Sequence, residues 1–283
     1  MDRGVLYLCA TPIGNLEDIT YRAVEVLRTV DIIACEDTRH TLKLLNRLEI
    51  NKKLVSYHEH NKASKGPSLV EDMLNGKNIA LVTDAGTPAI SDPGEDLVKL
   101  CIENNIKIIP LPGAVAGINA LIISGLSTRR FAFEGFLPVV KKEREEAIEK
   151  LKKYENTLVF YEAPHRLKRT LKDLYNSLGN RKISIVKEIT KIHESVERCD
   201  LETAVDMYGD EDIKGEFVLV VEGYNLEDAK EKEIENILNI PVREHVDKFI
   251  DMGFSKKEAI KKAAEERGLP KRDVYNEYEN SQL

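Results

Sequence analysis

Chemistry-bearing side chains in this 283-residue chain gather where apolar runs end. The run 31–35 leads into Glu36-Asp37-Thr38-Arg39-His40, a carboxylate pair followed by two basic groups. Carboxylates placed so can take a proton or hold a cation, and the Arg can hold a phosphate or a developing alkoxide. A surface ion pair explains the cluster about equally well. Lys187 and Glu188 follow a second apolar run, 183–186. Arg166, Lys168, Arg169 and Lys172 lie beside Leu167, Leu171 and Leu174 on one predicted helix. Those cations could meet phosphate, though a solvated helix often looks this way. His58 and His60 alternate without a third ligand at recognisable spacing, so we expect no metal site. Cys9, Cys35, Cys101 and Cys199 form no C-x-x-C pair and read as small hydrophobes.

Three loops of small residues stand at predicted strand ends: 11–15, 84–94 and 112–117. The longest reads DAGTPAISDPG, with Ala85, Gly86, Ala89 and Ser91 leaving the backbone open to a ligand. An ordinary strand-to-helix turn is the plainer alternative. Asp92 is expected as N-cap, Pro93 as the first helical residue and Glu95 as the partner closing a capping box. None of the loops carries G-x-G-x-x-G, which disfavours a nucleotide-binding dehydrogenase.

Strands are expected at 5–10, 31–35, 55–56, 78–83 and 106–110, alternating with helices from Tyr21, over 62–75, over 93–104 and over 115–124. That alternation implies a mainly parallel sheet, with ligands at the carboxyl ends of its strands. The uniformly apolar helix 115–124 is expected to be buried on all sides. Further strands are expected at 131–137, 157–161, 183–186 and 218–222, and partial helix over 194–207. The helix 141–153 should turn Ile148 and Leu151 inward and its charges to water. A charged linker at 225–235 precedes three short helices compatible with a helix-turn-helix module, with Lys256, Lys257, Lys261, Lys262, Lys271 and Arg272 on its basic side. The expected division is 1–120, 121–225 and 226–283.

Net charge is −7, which argues against broad, non-specific grip on nucleic acid but not against a local basic surface. The apolar stretch 114–125 is too short to span a bilayer, and 5–10 is too short for a signal-peptide core. We therefore expect a cytoplasmic protein with no membrane partner.

Together the motifs are specific. Thr11-Pro12-Ile13-Gly14-Asn15-Leu16, Glu36-Asp37-Thr38-Arg39, Asp84-Ala85-Gly86-Thr87-Pro88, Ser91-Asp92-Pro93-Gly94, Leu111-Pro112-Gly113, Phe160-Tyr161-Glu162-Ala163-Pro164-His165-Arg166 and Gly215-Glu216-Phe217 occur in order. In this the chain resembles the tetrapyrrole-methylase-like superfamily of S-adenosyl-L-methionine (SAM) methyltransferases, and within it the family of ribosomal RNA small subunit methyltransferases I. Lys187 stands where the resemblance leads one to expect Arg. The resemblance implies a two-domain α/β fold with a small helical appendix, SAM in the cleft, a homodimer, and 2′-O-methylation of a cytidine ribose of 16S rRNA in the small ribosomal subunit. It implies SAM contacts from Pro12, Asp84, Ala85, Gly86, Ile90, Ser91, Val115, Ala116, Tyr161, Gly215, Glu216 and Phe217.

On the acceptor side we expect Asn15, Glu36, Arg39 and Glu188 to act in catalysis, with Glu188 a candidate base. Arg166, Lys168, Arg169 and Lys187 are expected to bind substrate. A related SAM enzyme acting on a tetrapyrrole carbon or a modified protein histidine, and a SAM-binding RNA-binding protein, remain alternatives.

Overall fold

A computed structural model of the chain describes residues 3–208, 213–226 and 237–280. Two compact units divide it, Met1–Gly223 and Tyr224–Leu283. The expected linker at 225–235 lies mostly outside the described residues.

The first unit opens with strand–helix alternation: β1 (Val5–Cys9), α1 (Tyr21–Thr29), β2 (Ile32–Cys35), α2 (Thr38–Arg47), β3 (Lys53–Ser56), α3 (Lys62–Leu74), β4 (Ile79–Leu81), α4 (Gly94–Glu103) and β5 (Lys107–Leu111). The five strands form an all-parallel sheet in the order β3-β2-β4-β1-β5. Central strands are apolar at every position because helices cover both faces. Ile32 and Ala34 pack with Leu69, Met73, Leu97 and Cys101 from α3 and α4, whereas Ile33 and Cys35 pack with Ala23, Leu27 and Leu45 from α1 and α2. The connection from β1 passes to one side of the sheet and that from β4 to the other, so the crevice between their carboxyl ends is a topological switch point.

The second sheet, β6-β7-β10-β8-β9, is mixed. It comprises β6 (Phe131–Phe136), β7 (Thr157–Glu162), β8 (Lys182–Lys187), β9 (Ser195–Asp200) and β10 (Phe217–Val221). Only the β6–β7 pair is parallel. One face packs on α6 (Lys141–Lys150), α7 (Leu167–Leu178) and α8 (Leu201–Met207). The other face packs on α5 (Ala116–Ile123) and receives Ile13 from the loop after β1. The loop after β1 is thus joined to the second sheet through an apolar cluster.

Several local expectations change. Thr38, Arg39 and His40, read as part of a polar cluster, open helix α2, which runs on through Arg47. Asp37 caps it, its carboxylate accepting from the Arg39 N–H at 2.8 Å. The stretch 195–200 is a strand rather than helix; it forms the sheet edge, where one polar face meets water. Helix α5 is not buried on all sides, since Ile122 is 63% exposed. Nor does α6 put every charge in water. Arg144 is fully buried, donating to Asp173 Oδ2 at 2.7 Å and to the Val139 carbonyl at 2.9 Å. The expected boundary at 120/121 falls inside α5, which packs on the second sheet.

The second unit is a three-helix module of α9 (Val242–Asp251), α10 (Lys256–Arg267) and α11 (Lys271–Asn280) around Val246, Phe249, Ile260, Ala263 and Val274. Ser255 and Glu258 form a capping box at the start of α10. Its expected basic side is partly committed: Lys256 pairs with Glu279, Lys261 with Glu265, and Lys262 lies 4.7 Å from the Phe254 ring centroid. Among the described residues no helix is long and apolar enough to cross a membrane.

Candidate active site

The loops after β1 and β4 meet at the switch point. Thr11 and Gly86 exchange backbone hydrogen bonds of 2.9 and 3.1 Å, and the Thr11 hydroxyl donates to the Thr83 carbonyl at 3.2 Å. Gly86 has φ +85°, a conformation that calls for glycine, and a Cβ there would lie a tight 3.3 Å from Ile13 Cγ2. Ala89 and Ser91 adopt positive φ without being glycine, a local strain typical of ligand loops. Asp92 holds them there. Its carboxylate accepts from the N–H of Gly94 (2.7 Å), Ala89 (3.0 Å) and Ile90 (3.2 Å). The expected capping box is not formed: α4 begins one residue later than expected, and Glu95 pairs with Lys99 instead.

Behind this loop lies a cavity of about 370 Å³, a usual size for a small-molecule site. All the expected cofactor contacts except Pro12 and Gly215 line it, and Glu36 does too. Sequence reasoning missed Thr83, Asp92, Phe136 and Ile189 in its wall. Carboxylates are plentiful there (Glu36, Asp84, Asp92, Glu162 and Glu216), and no Lys or Arg contributes. Burial pushes the Glu36 carboxyl above its ordinary value, and the nearby charges of Asp92 and Asp84 push it further. A site built this way suits a ligand with positive charge and apolar surface and disfavours a polyphosphate. Tyr161 closes one side. Its hydroxyl accepts from the Gly117 N–H at 3.1 Å, and its ring meets Phe133 and Phe136 edge-on.

A second, more open cavity of about 630 Å³ shares Ile13, Asp84, Ala85 and Glu216 with the first. Its remaining wall includes Pro12, Gly14, His40, Lys43, Arg47 and Lys191. Asp84 joins the loop to the start of α2, accepting from the Asp37 N–H at 3.2 Å.

Neither cavity is lined by the other expected catalytic or substrate residues. Asn15 caps a 3₁₀ turn, its side-chain oxygen accepting from the Glu17 N–H at 3.1 Å. Arg39 points to solvent and pairs with Asp37 at 2.8 Å. Arg166 is buried, 3.3 Å from Glu162 and donating to the Leu137 carbonyl at 2.5 Å, so it is spent on the fold. Lys168 and Arg169 are exposed on α7, and Lys187 lies 5.9 Å from the Phe217 ring centroid.

Glu188 is bound up in the Gly215–Glu216 turn. One of its carboxylate oxygens accepts from the Glu216 N–H at 2.8 Å and the Lys191 ammonium at 2.9 Å. Burial raises its pKa, but those two donors lower it more, leaving it a weaker base than a free carboxylate. A Cβ on Gly215, at φ +102°, would lie 2.8 Å from Glu188 Cγ, so this turn needs glycine as well.

Against known proteins, residues 5–205 match the family model described as Tetrapyrrole (Corrin/Porphyrin) Methylases. The chain is 54% identical over 277 residues to ribosomal RNA small subunit methyltransferase I of Halalkalibacterium halodurans, covering 98% of this chain and 95% of that protein. It is 50% identical to the protein of the same name from Bacillus subtilis, covering 98% and 94%. Among solved structures it resembles diphthine synthase (TM-score 0.59, 13% identity, 77% of this chain and 90% of that one). It also resembles uroporphyrin-III C-methyltransferase from Thermus thermophilus complexed with S-adenyl homocysteine (TM-score 0.55, 16% identity, 76% and 97%). On the strength of the family match and these near-full-length identities, the chain belongs to the tetrapyrrole methylase family, in the group of the ribosomal RNA small subunit methyltransferase I proteins.

Proposed function

We propose that this protein transfers a methyl group from SAM to the 2′-oxygen of a cytidine ribose in 16S rRNA, acting on the small ribosomal subunit in the cytoplasm. The observation that carries the reading is the contrast between adjoining cavities. The first is acidic and apolar, the second, more open one is edged with cations, and they share Ile13, Asp84, Ala85 and Glu216. A cationic methyl donor fits the first, and a polyanionic acceptor fits the second.

SAM bound there supplies a methyl group already activated by the sulfonium. The protein's part is to bind, align and exclude water. The 84–91 backbone and the Val115–Ala116 segment would hold the donor, with Tyr161 and Phe217 on the apolar side. Glu36, Asp84 and Asp92 would offset its positive charge, which polyphosphate-binding loops cannot do. Glu36 is also the better-placed base: it lines the cavity and its raised pKa makes its carboxylate more basic, while Glu188 positions the Gly215–Glu216 turn. Exposed apolar side chains on α5 and β6, including Ile118, Ile122, Phe131 and Phe133, support a homodimer.

Transfer of labelled methyl from SAM tests the reading with three acceptors: small subunits lacking the modification, naked 16S rRNA and a uroporphyrinogen-type tetrapyrrole. We expect alkali-stable label at one cytidine of the subunit. Label on the tetrapyrrole alone would keep the fold and overturn the function.

A further inference from the structure

We infer that one face of α2, carrying His40, Lys43 and Arg47, is the wall along which the acceptor RNA backbone runs. This rests on the proposed rRNA methylation and names the surface that would grip the substrate. Positions 40, 43 and 47 are spaced i, i+3 and i+7, so they share one helix face over about 10 Å of axis. All three line the open cavity, and all three are exposed. The helix starts at the shared wall, through the Asp37 to Asp84 hydrogen bond, and runs away from it. A strand lying along this face would therefore present one of its riboses at the boundary with the donor cavity.

The charge pattern of α2 has no structural explanation. Among the described α-helices it alone carries basic residues with no acidic one. Several cations elsewhere are offset on their own helix, as in Lys99 with Glu95, Lys141 with Glu145 and Lys142 with Glu146. His40, Lys43 and Arg47 have no carboxylate partner among the described residues, and Lys43 and Arg47 stand one turn apart, where like charges repel. Lys191, across the cavity, is already paired with Glu188 and Glu216. The unpaired cations Lys43 and Arg47, with His40 beside them in an open groove, match successive phosphates of a strand better than the compact carboxylate ring of a tetrapyrrole. It also reconciles an acidic chain with an RNA substrate, because the positive surface is local.

The test compares wild type, K43E/R47E, K43Q/R47Q, K43R/R47K and, as a charge control, K141E/K142E on α6. Small ribosomal subunits lacking the modification are the probe. The readouts are KM for subunits, co-sedimentation with subunits in the absence of SAM, and SAM affinity by calorimetry. We expect K43E/R47E to raise KM at least twentyfold and abolish co-sedimentation, with SAM affinity unchanged. K43R/R47K should bind as wild type does. Neutralising the pair (K43Q/R47Q) should flatten the log–log salt dependence of subunit binding by about 1.4, the value for two phosphates of a single strand. Unchanged KM and co-sedimentation in K43E/R47E would overturn the inference, as would an equal loss in K141E/K142E or a loss of SAM binding. If wild type labels the tetrapyrrole and not the subunit, the underlying reading fails and this inference with it. Label on the subunit with an indifferent K43E/R47E overturns the inference alone.

Discussion

The two cavities share four residues yet are built on opposite electrostatic plans. The enclosed one takes its walls from loops after strands of both sheets, and its charges are carboxylates held by backbone N–H groups or crowded together. The open one adds to the shared Asp84 and Glu216 a row of side chains standing free on a helix, with Lys191 paired to Glu216. Loop backbone fixed by hydrogen bonds can shape a small ligand closely. A row of exposed side chains can grip a long polyanion but shapes nothing. The difference teaches that sign of charge alone does not identify a substrate residue here; what matters is whether the charge is already spent.

Arg166 is the sharpest test of that rule. It looks like a phosphate ligand in sequence, but it and Glu162 are almost fully buried together. Arg166→Ala should leave a buried, unpaired carboxylate and destabilise the first unit by about 3–5 kcal/mol. In thermal unfolding this is a fall of roughly 10 °C. An unaltered melting temperature with weakened subunit binding would return Arg166 to the substrate side and break the comparison.

Gly86→Val separates the cavities from the other direction. The substitution forces a β-branched residue into φ +85° and pushes into Ile13. SAM affinity should drop about a hundredfold, some 2.7 kcal/mol, while co-sedimentation with subunits persists. Calorimetry and sedimentation on one preparation distinguish the two effects. Parallel loss of both would mean that the shared wall governs the groove too.

The smallest effect concerns Glu36. Its pKa in the folded protein is raised above the ordinary 4.5 by burial and then by Asp92 and Asp84. Its protonated form therefore adds stability that is fully present below 4.5 and lost as pH rises through the raised value. A cationic ligand prefers the ionised form. SAM affinity should thus rise with pH through that same window, and Glu36→Gln should flatten the rise and weaken binding about fivefold at neutral pH, on the order of 1 kcal/mol. A titration showing the wild-type pH dependence intact in the variant would assign the rise to another carboxylate.

Much of the fold is legible in local sequence. Thr20, a threonine placed just before the expected helix start at Tyr21, caps α1 and accepts from the Ala23 N–H at 3.1 Å, because a capping side chain acts within its own turn. Apolar runs bounded by small residues mark β1, β2 and β4 because strands covered on both faces leave no room for polar ones. Helix α2 is marked in sequence by Asp37 followed by Thr41, Leu45 and Leu48 at helical spacing, but its first turn is the polar Thr38-Arg39-His40, which shows no apolar period. Strand β9 was not legible: SVERCD has too few apolar residues to show a period, and its strand state comes from pairing with β8.

By itself, then, the sequence marked the mainly parallel first sheet and the small-residue loops at its strand ends. Each of these depends on neighbours a few positions away, which the order of residues states directly. Only the tertiary structure decided which charges are free. Arg144 meets Asp173 and Arg166 meets the Leu137 carbonyl across 29 positions, and Glu188 meets the Glu216 N–H across 28. His40, Lys43 and Arg47 meet no carboxylate among the described residues. A charge is silenced or left available by partners distant in the chain, and that is a property of the packed molecule.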